Sequence, residues 1–390
     1  MSTNRAGDRA AVPDQGDPAP GLLIDHHCHG VVRDDLDRPA FEQLMTESAL
    51  PAPPGTTHLD TPMGLAIRRW CAPLLDLPRH APAERYLERR AELGTAEVNR
   101  RLLTAAGISH LLLDTGYTPA AILAPAEMAR VAGARAHVVT RIEAVAEQVA
   151  AASDSPADFL ASLGPELHRQ AAASVGLKSI IAYRYGLDFD PARPGDHEAL
   201  AAAQEWFAAG SRERVTHPVL LRWLLWQGVD IARELALPVQ FHVGYGDGDL
   251  EVHRCNPLLM TSFIRATTGL GVPLMLLHCY PYEREAGYLA AVFPHVYFDV
   301  GCIVHYTGAE SRRVIAHALE LAPFHKVLFS TDAFGLPELY LVGASAFRRG
   351  LDATLSRWVE NDDCTRLDAH AITEMVCSGN ALRVYPGLSA

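Results

Sequence analysis

The sequence predicts a closed (β/α)8 barrel, and three observations carry that expectation. Eight short runs rich in Val, Ile, Leu and Phe recur along the chain, with amphipathic helical stretches between them. The runs are apolar throughout rather than alternating, as strands covered on both faces must be. Histidines and a carboxylate gather where several runs finish, the end at which such barrels build their sites. An open doubly wound sheet is the alternative reading. No GxGxxG follows the first run, which weakens a dinucleotide-binding version of it.

With 390 residues, 49% hydrophobic and 21% charged, the chain can bury a sizeable core. Residues 1–20 lack the apolar centre of a signal peptide and read as a disordered leader. Residues 21–390 are expected to form one barrel. The formal charge of −12 argues against nucleic acid or an anionic membrane as the main partner. No apolar stretch reaches the roughly 18–20 residues that span a bilayer. The seven cysteines (28, 71, 255, 279, 302, 364 and 377) are scattered without a CxxC pair and read as reduced thiols of a cytoplasmic protein. A small-molecule substrate and a homo-oligomeric assembly are expected.

The first strand, 22–26, runs into DHHCH at 25–29. Alternation along a strand puts Asp25, His27 and His29 on one face and turns His26 and Cys28 away. On this stretch alone, two surface histidines and two metal ligands are equal readings. Residues 31–108 follow, with helical patterns such as APAERYLERRAELGTAEVNRRLLTAAG, and are expected to form a helical insertion over the site. The second strand, 109–114, ends at Asp114, and the third covers 137–142. A helix over 144–152 precedes the fourth strand, 175–182, which contains Lys178. A second long connection, 186–218, is expected to help wall the pocket; a decorative or oligomer-forming insert is the alternative for both. A helix over 220–236 leads to strand five, 238–243, with His242. Strand six, 273–278, ends at His278, and a helix over 284–293 follows. Strand seven, 296–300, is followed by His305 and a helix over 308–321. Strand eight, 326–331, runs directly into Asp332, with Glu338 beyond.

Each of these residues has a bland reading alone: a lone histidine is a satisfied polar group, and Asp332 a helix or turn cap. His27, His29, His242, His278 and Asp332 at the same end of four strands are harder to dismiss. Imidazole plus carboxylate is a ligand set for Zn, Mn or Fe.

This order of residues resembles the amidohydrolase superfamily: HxH after strand one, single histidines after strands five and six, and Asp after strand eight. Here the blocks read DHHCH, QFHVGYGD, LLHCYP and FSTDAF. FluG-like amidohydrolases are closer, on GLKSIIAYRYGL (176–187), LPVQFHVGYGDGDLEVHRCNP (237–257), LLHCYPYEREAGYLAAVFPHVYFDVG (276–301) and STDAFGLPELY (330–340). The resemblance runs from about residue 22 to the C-terminus. No glutamine synthetase domain of the FluG kind is expected after it. It implies a metal-dependent hydrolase that cuts an amide C–N bond in a small carboxylate-bearing substrate, with a γ-glutamyl amide as the guess. A mononuclear-zinc decarboxylase or lyase of the same superfamily is the first rival, and a non-catalytic barrel the second.

Lys178 is one of only two lysines among 34 basic residues, and it sits inside the apolar run VGLKSIIAY. Burial lowers an ammonium pKa. A neutral amine can take up CO2 as a carbamate that bridges two metals, which an ever-protonated Arg cannot do. Segments of the hydantoinases carry such a lysine with Tyr five residues on, the spacing of Lys178 and Tyr183 here. A lysine snorkelling to the rim is the alternative. The resemblance then implies one ion on His27, His29, Lys178 and Asp332, and a second on Lys178, His242 and His278. Zn2+ is expected, with Mn2+ or Fe2+ as options and one or two ions open. Asp332 is expected to move the proton, with His278 counted among the catalytic groups. Tyr183 would donate to the developing oxyanion, and Arg184 would fork a substrate carboxylate. Arg254 is a second substrate-binding candidate, for which a structural role is the alternative. Asp114, His305 and Glu338 could reach substrate, with no role fixed.

Overall fold

The computed structural model describes residues 22–118, 121–210 and 212–388; the expected leader, 1–20, lies outside them. Seven strands pair in parallel and in sequence order: β1 (Ile24–Cys28), β2 (His110–Asp114), β3 (Arg135–Arg141), β4 (Gly176–Ser179), β5 (Val239–Val243), β6 (Leu274–His278) and β7 (Val296–Phe298). Helices between them cover the sheet. This explains the unbroken apolar runs, for a strand with helices on one side and core on the other has no wet face.

The eighth expected strand, 326–331, is the main departure. Phe324–Lys326 forms a turn of 3-10 helix, and only Val327 bridges to Phe298 of β7. Beyond it, Leu328 N–H donates to Phe298 O (3.0 Å), and His26 N–H donates to Phe329 O (3.1 Å). Residues 327–329 thus touch both edges of the curled sheet without making a ladder. The reason lies in the next residues. Asp25 accepts from Thr331 N–H (2.9 Å) and Thr331 Oγ1 (2.5 Å), and Asp332 adopts φ 53°. The chain leaves the strand direction in order to present Asp332.

The expected 31–108 connection holds four helices: α1 (Arg38–Gln43), α2 (Pro62–Leu74), α3 (Ala83–Leu93) and α4 (Thr95–Ala106). Local chemistry starts them. Asp37 accepts from Ala40 N–H (2.9 Å) at one N-cap and Thr61 from Gly64 N–H (3.1 Å) at another, each followed closely by proline. The fourth expected strand stops early, since Ile181–Arg184 is a helical turn. The expected helices appear at Ile142–Ala152, Pro218–Leu235, Glu283–Val292 and Ser311–Leu319.

Two apolar cores result. A large one lies between sheet and helices. A smaller one fills the inside of the curl with Ile24, Leu112, Val139, Met275, Leu277 and Leu328, plugged from below by Tyr385 and Leu388. Among the described residues no helix is long and apolar enough to cross a membrane.

Candidate metal centre

The strand ends deliver their polar residues to one point. Strict alternation along β1 is broken there: Asp25 pairs with Leu111 and Cys28 with Leu113, so three steps on β1 match two on β2. Such a bulge lets neighbouring residues face the same way. His26 is therefore not turned away into the outer wall. It lies beneath the centre, with Nε2 2.8 Å from Asp299 Oδ2 and Nδ1 2.8 Å from the Tyr385 hydroxyl. Cys28 does pack outward, against Leu112 O.

His27 Nε2 stands 3.2 Å from Asp332 Oδ1, and His29 Nε2 stands 3.5 Å from the same oxygen. These three residues offer ligand atoms that all lie within 4.8 Å of one another. His278 Nδ1 is 3.5 Å from Asp332 Oδ2, and the His242 ring lies 4.8 Å from the His278 ring. Lys178 Nζ is 3.4 Å from His27 Nε2. The five ligand candidates and Lys178 thus share one site. Backbone bonds hold the two segments together, from Asp332 N–H to His27 O and from His29 N–H to Ala333 O, both 2.9 Å. His278 (φ 70°) and Asp332 (φ 53°) both take left-handed backbone, uncommon without a functional reason.

Burial sets the charge states. It pushes His27 down to about 3, helped by the Lys178 charge, and His278 down to about 4; His242 falls well below the usual range. All three imidazoles are neutral near pH 7. Burial alone would raise Asp332, but the imidazoles of His278, His27 and His29 gathered around it favour the ionised form and hold the carboxyl well below its usual range. Burial also brings Lys178 down to about 8.

This donor set fits a divalent ion. His242 Nε2 and His278 Nδ1 are buried and make no hydrogen bond among the described residues, which is costly unless something else engages them. His27 Nδ1–H donates to Gln240 Oε1 (2.9 Å) and His29 Nδ1–H to Asp114 O (3.1 Å), leaving both Nε2 lone pairs free. Outer partners of this kind fix the tautomer of ligating histidines.

A cavity of about 650 Å³ opens above the centre. Tyr183 and Arg184 line it, as expected. The Tyr183 ring packs 4.4 Å from that of His242, and any side chain at Gly246 would collide with the Tyr183 hydroxyl. Arg184 Nη2 donates to Glu147 Oε1 (2.9 Å), while its Nε is buried with no partner among the described residues. Arg254 is not among the lining residues. Asp188 holds its guanidinium at 2.7 Å, and it stacks 4.8 Å over Tyr185. Glu338 also lies elsewhere, accepting from the Tyr86 hydroxyl and Arg90 Nε, both at 2.9 Å. Asp114 reaches the site through Arg141, whose Nε and Nη2 lie 3.0 and 2.6 Å from its Oδ2. His305 lines the cavity.

Arg141, Glu47, Gln240, Asp299 and Tyr385 were not among the sequence candidates. Arg141 ends β3, so the rule that located the histidines pointed to it too. Glu47 enters from the connection that holds α1–α4, where it accepts from the Tyr306 hydroxyl (2.8 Å), and no motif marks it.

A protein from Lactobacillus casei classed as a metal-dependent hydrolase superimposes with a TM-score of 0.82 and 30% identity, covering 93% of this chain and 95% of that one. The glucuronate isomerase of Caulobacter crescentus shares the fold at 15% identity, with a TM-score of 0.64 over 95% of this chain and 92% of that one. Protein fluG of Emericella nidulans is 34% identical over 223 residues, 55% of this chain but only 26% of fluG. The family model described as amidohydrolase matches residues 24–387, from the first residue of β1 to the plug beneath the centre, and this chain belongs to that family.

Proposed function

We propose that the protein hydrolyses an amide C–N bond in a small substrate that carries a carboxylate. One observation carries this reading: His27, His29, His242, His278 and Asp332 converge on the floor of a cavity whose wall presents Arg141 and Arg184. A divalent ion held by His27, His29 and Asp332, with His242 and His278 completing the set or holding a second ion, would supply Lewis acidity to a carbonyl and to water. Asp332, kept ionised, accepts the proton of the attacking water and returns it to the leaving amine. Tyr183 donates to the carbonyl oxygen as charge grows there. The unpartnered Arg184 Nε is the donor for a substrate carboxylate. Lys178 would join this set as a carbamate and supply a negatively charged oxygen ligand; burial, which lowers its amine to about 8, increases the share of the neutral form that takes up CO2. On the same reading residues 327–331 occupy the eighth position of a (β/α)8 barrel, with 31–108 as its roof. The seven cysteines are all free, which supports a reducing compartment.

The test is metal analysis of protein purified without chelator, then a screen of N-acyl and γ-glutamyl amides with added Zn2+ or Mn2+. Free amine is the expected product. Release of CO2 with a single bound ion would replace hydrolysis by decarboxylation. A protein that binds no metal would be a barrel used for binding alone.

A further inference from the structure

The cavity contains a buried imidazole to which the hydrolysis just described gives no task. His305 lies on the helical turn Ile303–Tyr306 after β7, is 1% exposed, and lines the cavity with Asp332 and Cys302. Its Nδ1 is buried and has no hydrogen-bonding partner among the described residues. That nitrogen faces Gly343, where a methyl group would stand 3.8 Å from it. A buried N–H without an acceptor is rarer and costlier than a lone pair without a donor. Nδ1 therefore keeps its lone pair, and the proton sits on Nε2, on the ring edge turned away from Gly343. The orientation is fixed from the side, since the Tyr306 ring packs 4.6 Å away and its hydroxyl is tied to Glu47. Burial pushes His305 down to about 4, so the ring stays neutral near pH 7.

We propose that His305 is a second hydrogen-bond donor to the substrate, a neutral imidazole whose Nε2–H binds the oxygen on which negative charge grows. The identity of that oxygen rests on the hydrolase reading; the donor itself does not. A neutral donor keeps its proton through the reaction and serves only to stabilise charge, a role preorganised groups fill most effectively in a dry site.

Three substitutions separate this from a packing role. His305→Leu removes the donor, His305→Gln places an amide N–H where Nε2 stands, and His305→Asn places one near Nδ1. With a γ-glutamyl anilide as probe, Leu and Asn should lower kcat by about 10²–10³ with metal content and melting temperature unchanged, and Gln should recover most of the loss. Wild-type kcat in His305→Leu, or rescue by Asn as good as by Gln, would overturn the proposal. Nitrogen-15 spectra of histidine-labelled wild-type protein, with the His305 signals identified by their loss in His305→Gln, need no substrate. They should show the proton on Nε2 at neutral pH, and a proton on Nδ1 would also overturn it. If the wild type released no aniline, the hydrolase reading and the reacting-oxygen role would fall together, while the spectrum would still decide whether His305 is a donor.

Discussion

Asp332 illustrates how much one residue is asked to do. It faces His27, His29 and His278, holds its charge against burial, and sits at φ 53°. Asn tolerates left-handed backbone better than most residues, so Asp332→Asn should keep the fold while giving up charge and basicity. Turnover should fall by about 10²–10⁴, and near-wild-type kcat in the metal-loaded variant would reject the assignment. Lys178 allows an equally direct measurement. If it were a bridging carbamate it would supply negative charge to two ions, so Lys178→Ala should then lose at least one of them, and apo-protein should reactivate faster with metal plus bicarbonate than with metal alone. A mononuclear site predicts no change in either readout. The buried imidazoles also set an acid limit. His27, His278 and His305 have folded values of about 3, 4 and 4, below the 6.5 expected when unfolded. Between those limits the unfolded chain binds more protons, so stability is full above about pH 6.5 and is lost as pH falls toward 4. Urea melts of chelated protein at pH 7 and pH 5 should show that loss; equal midpoints would mean that these rings titrate normally in the fold.

At the scale of elements, Glu338 shows where reading along the chain misleads. It follows Asp332 by six residues and looks placed for substrate. A helix, Pro337–Glu360, begins in between and turns it onto α3, where it meets Tyr86 and Arg90. The Arg90–Glu338 pair is almost fully buried, at 4% and 0% exposure. Removing one partner of such a pair strands the other charge, so Glu338→Ala should cost about 3–5 kcal/mol. Metal content should stay the same, because the pair ties the helical connection to the barrel and not the ions to their ligands. A metal-depleted but fully stable Glu338→Ala protein would reverse that assignment. The same scale explains the two misread strands. Hydrophobic period located β1 and the run at 326–331, but neither the bulge between Asp25 and Cys28 nor the departure at Thr331 has a hydrophobic signature. Both arise from side-chain pairings made across the fold, Asp25 with Thr331 and His26 with Asp299.

Across the whole molecule, the candidate ligands were legible because a parallel sheet gathers its site residues at strand ends, two here at β1 and one each at β5, β6 and the run that follows β7. Their supports were not, because these meet only in the fold, and one of them comes from the far end of the chain. Tyr385 lies 359 residues from His26. Its hydroxyl accepts from Gln240 Nε2 (2.9 Å) and donates to His26 Nδ1 (2.8 Å). From there two paths rise to the centre. Gln240 Oε1 orients His27, and His26 holds Asp299, whose Oδ1 accepts the backbone N–H of His278 (2.9 Å). One phenol at the base of the inner core thus helps aim ligands delivered by β1 and β6. Tyr385→Phe keeps the ring in its apolar setting and removes only the hydroxyl, so the plug should remain folded. Loss of an outer partner typically weakens a metal site by about 10–100-fold. Competition with a metal chelator should show that drop for Tyr385→Phe, with a smaller effect for Leu388→Ala, which disturbs the same plug without touching the hydrogen-bonded paths. Equal metal affinity in wild type and Tyr385→Phe would mean that Gln240 and Asp299 aim the histidines unaided, and that the C-terminal plug serves packing alone.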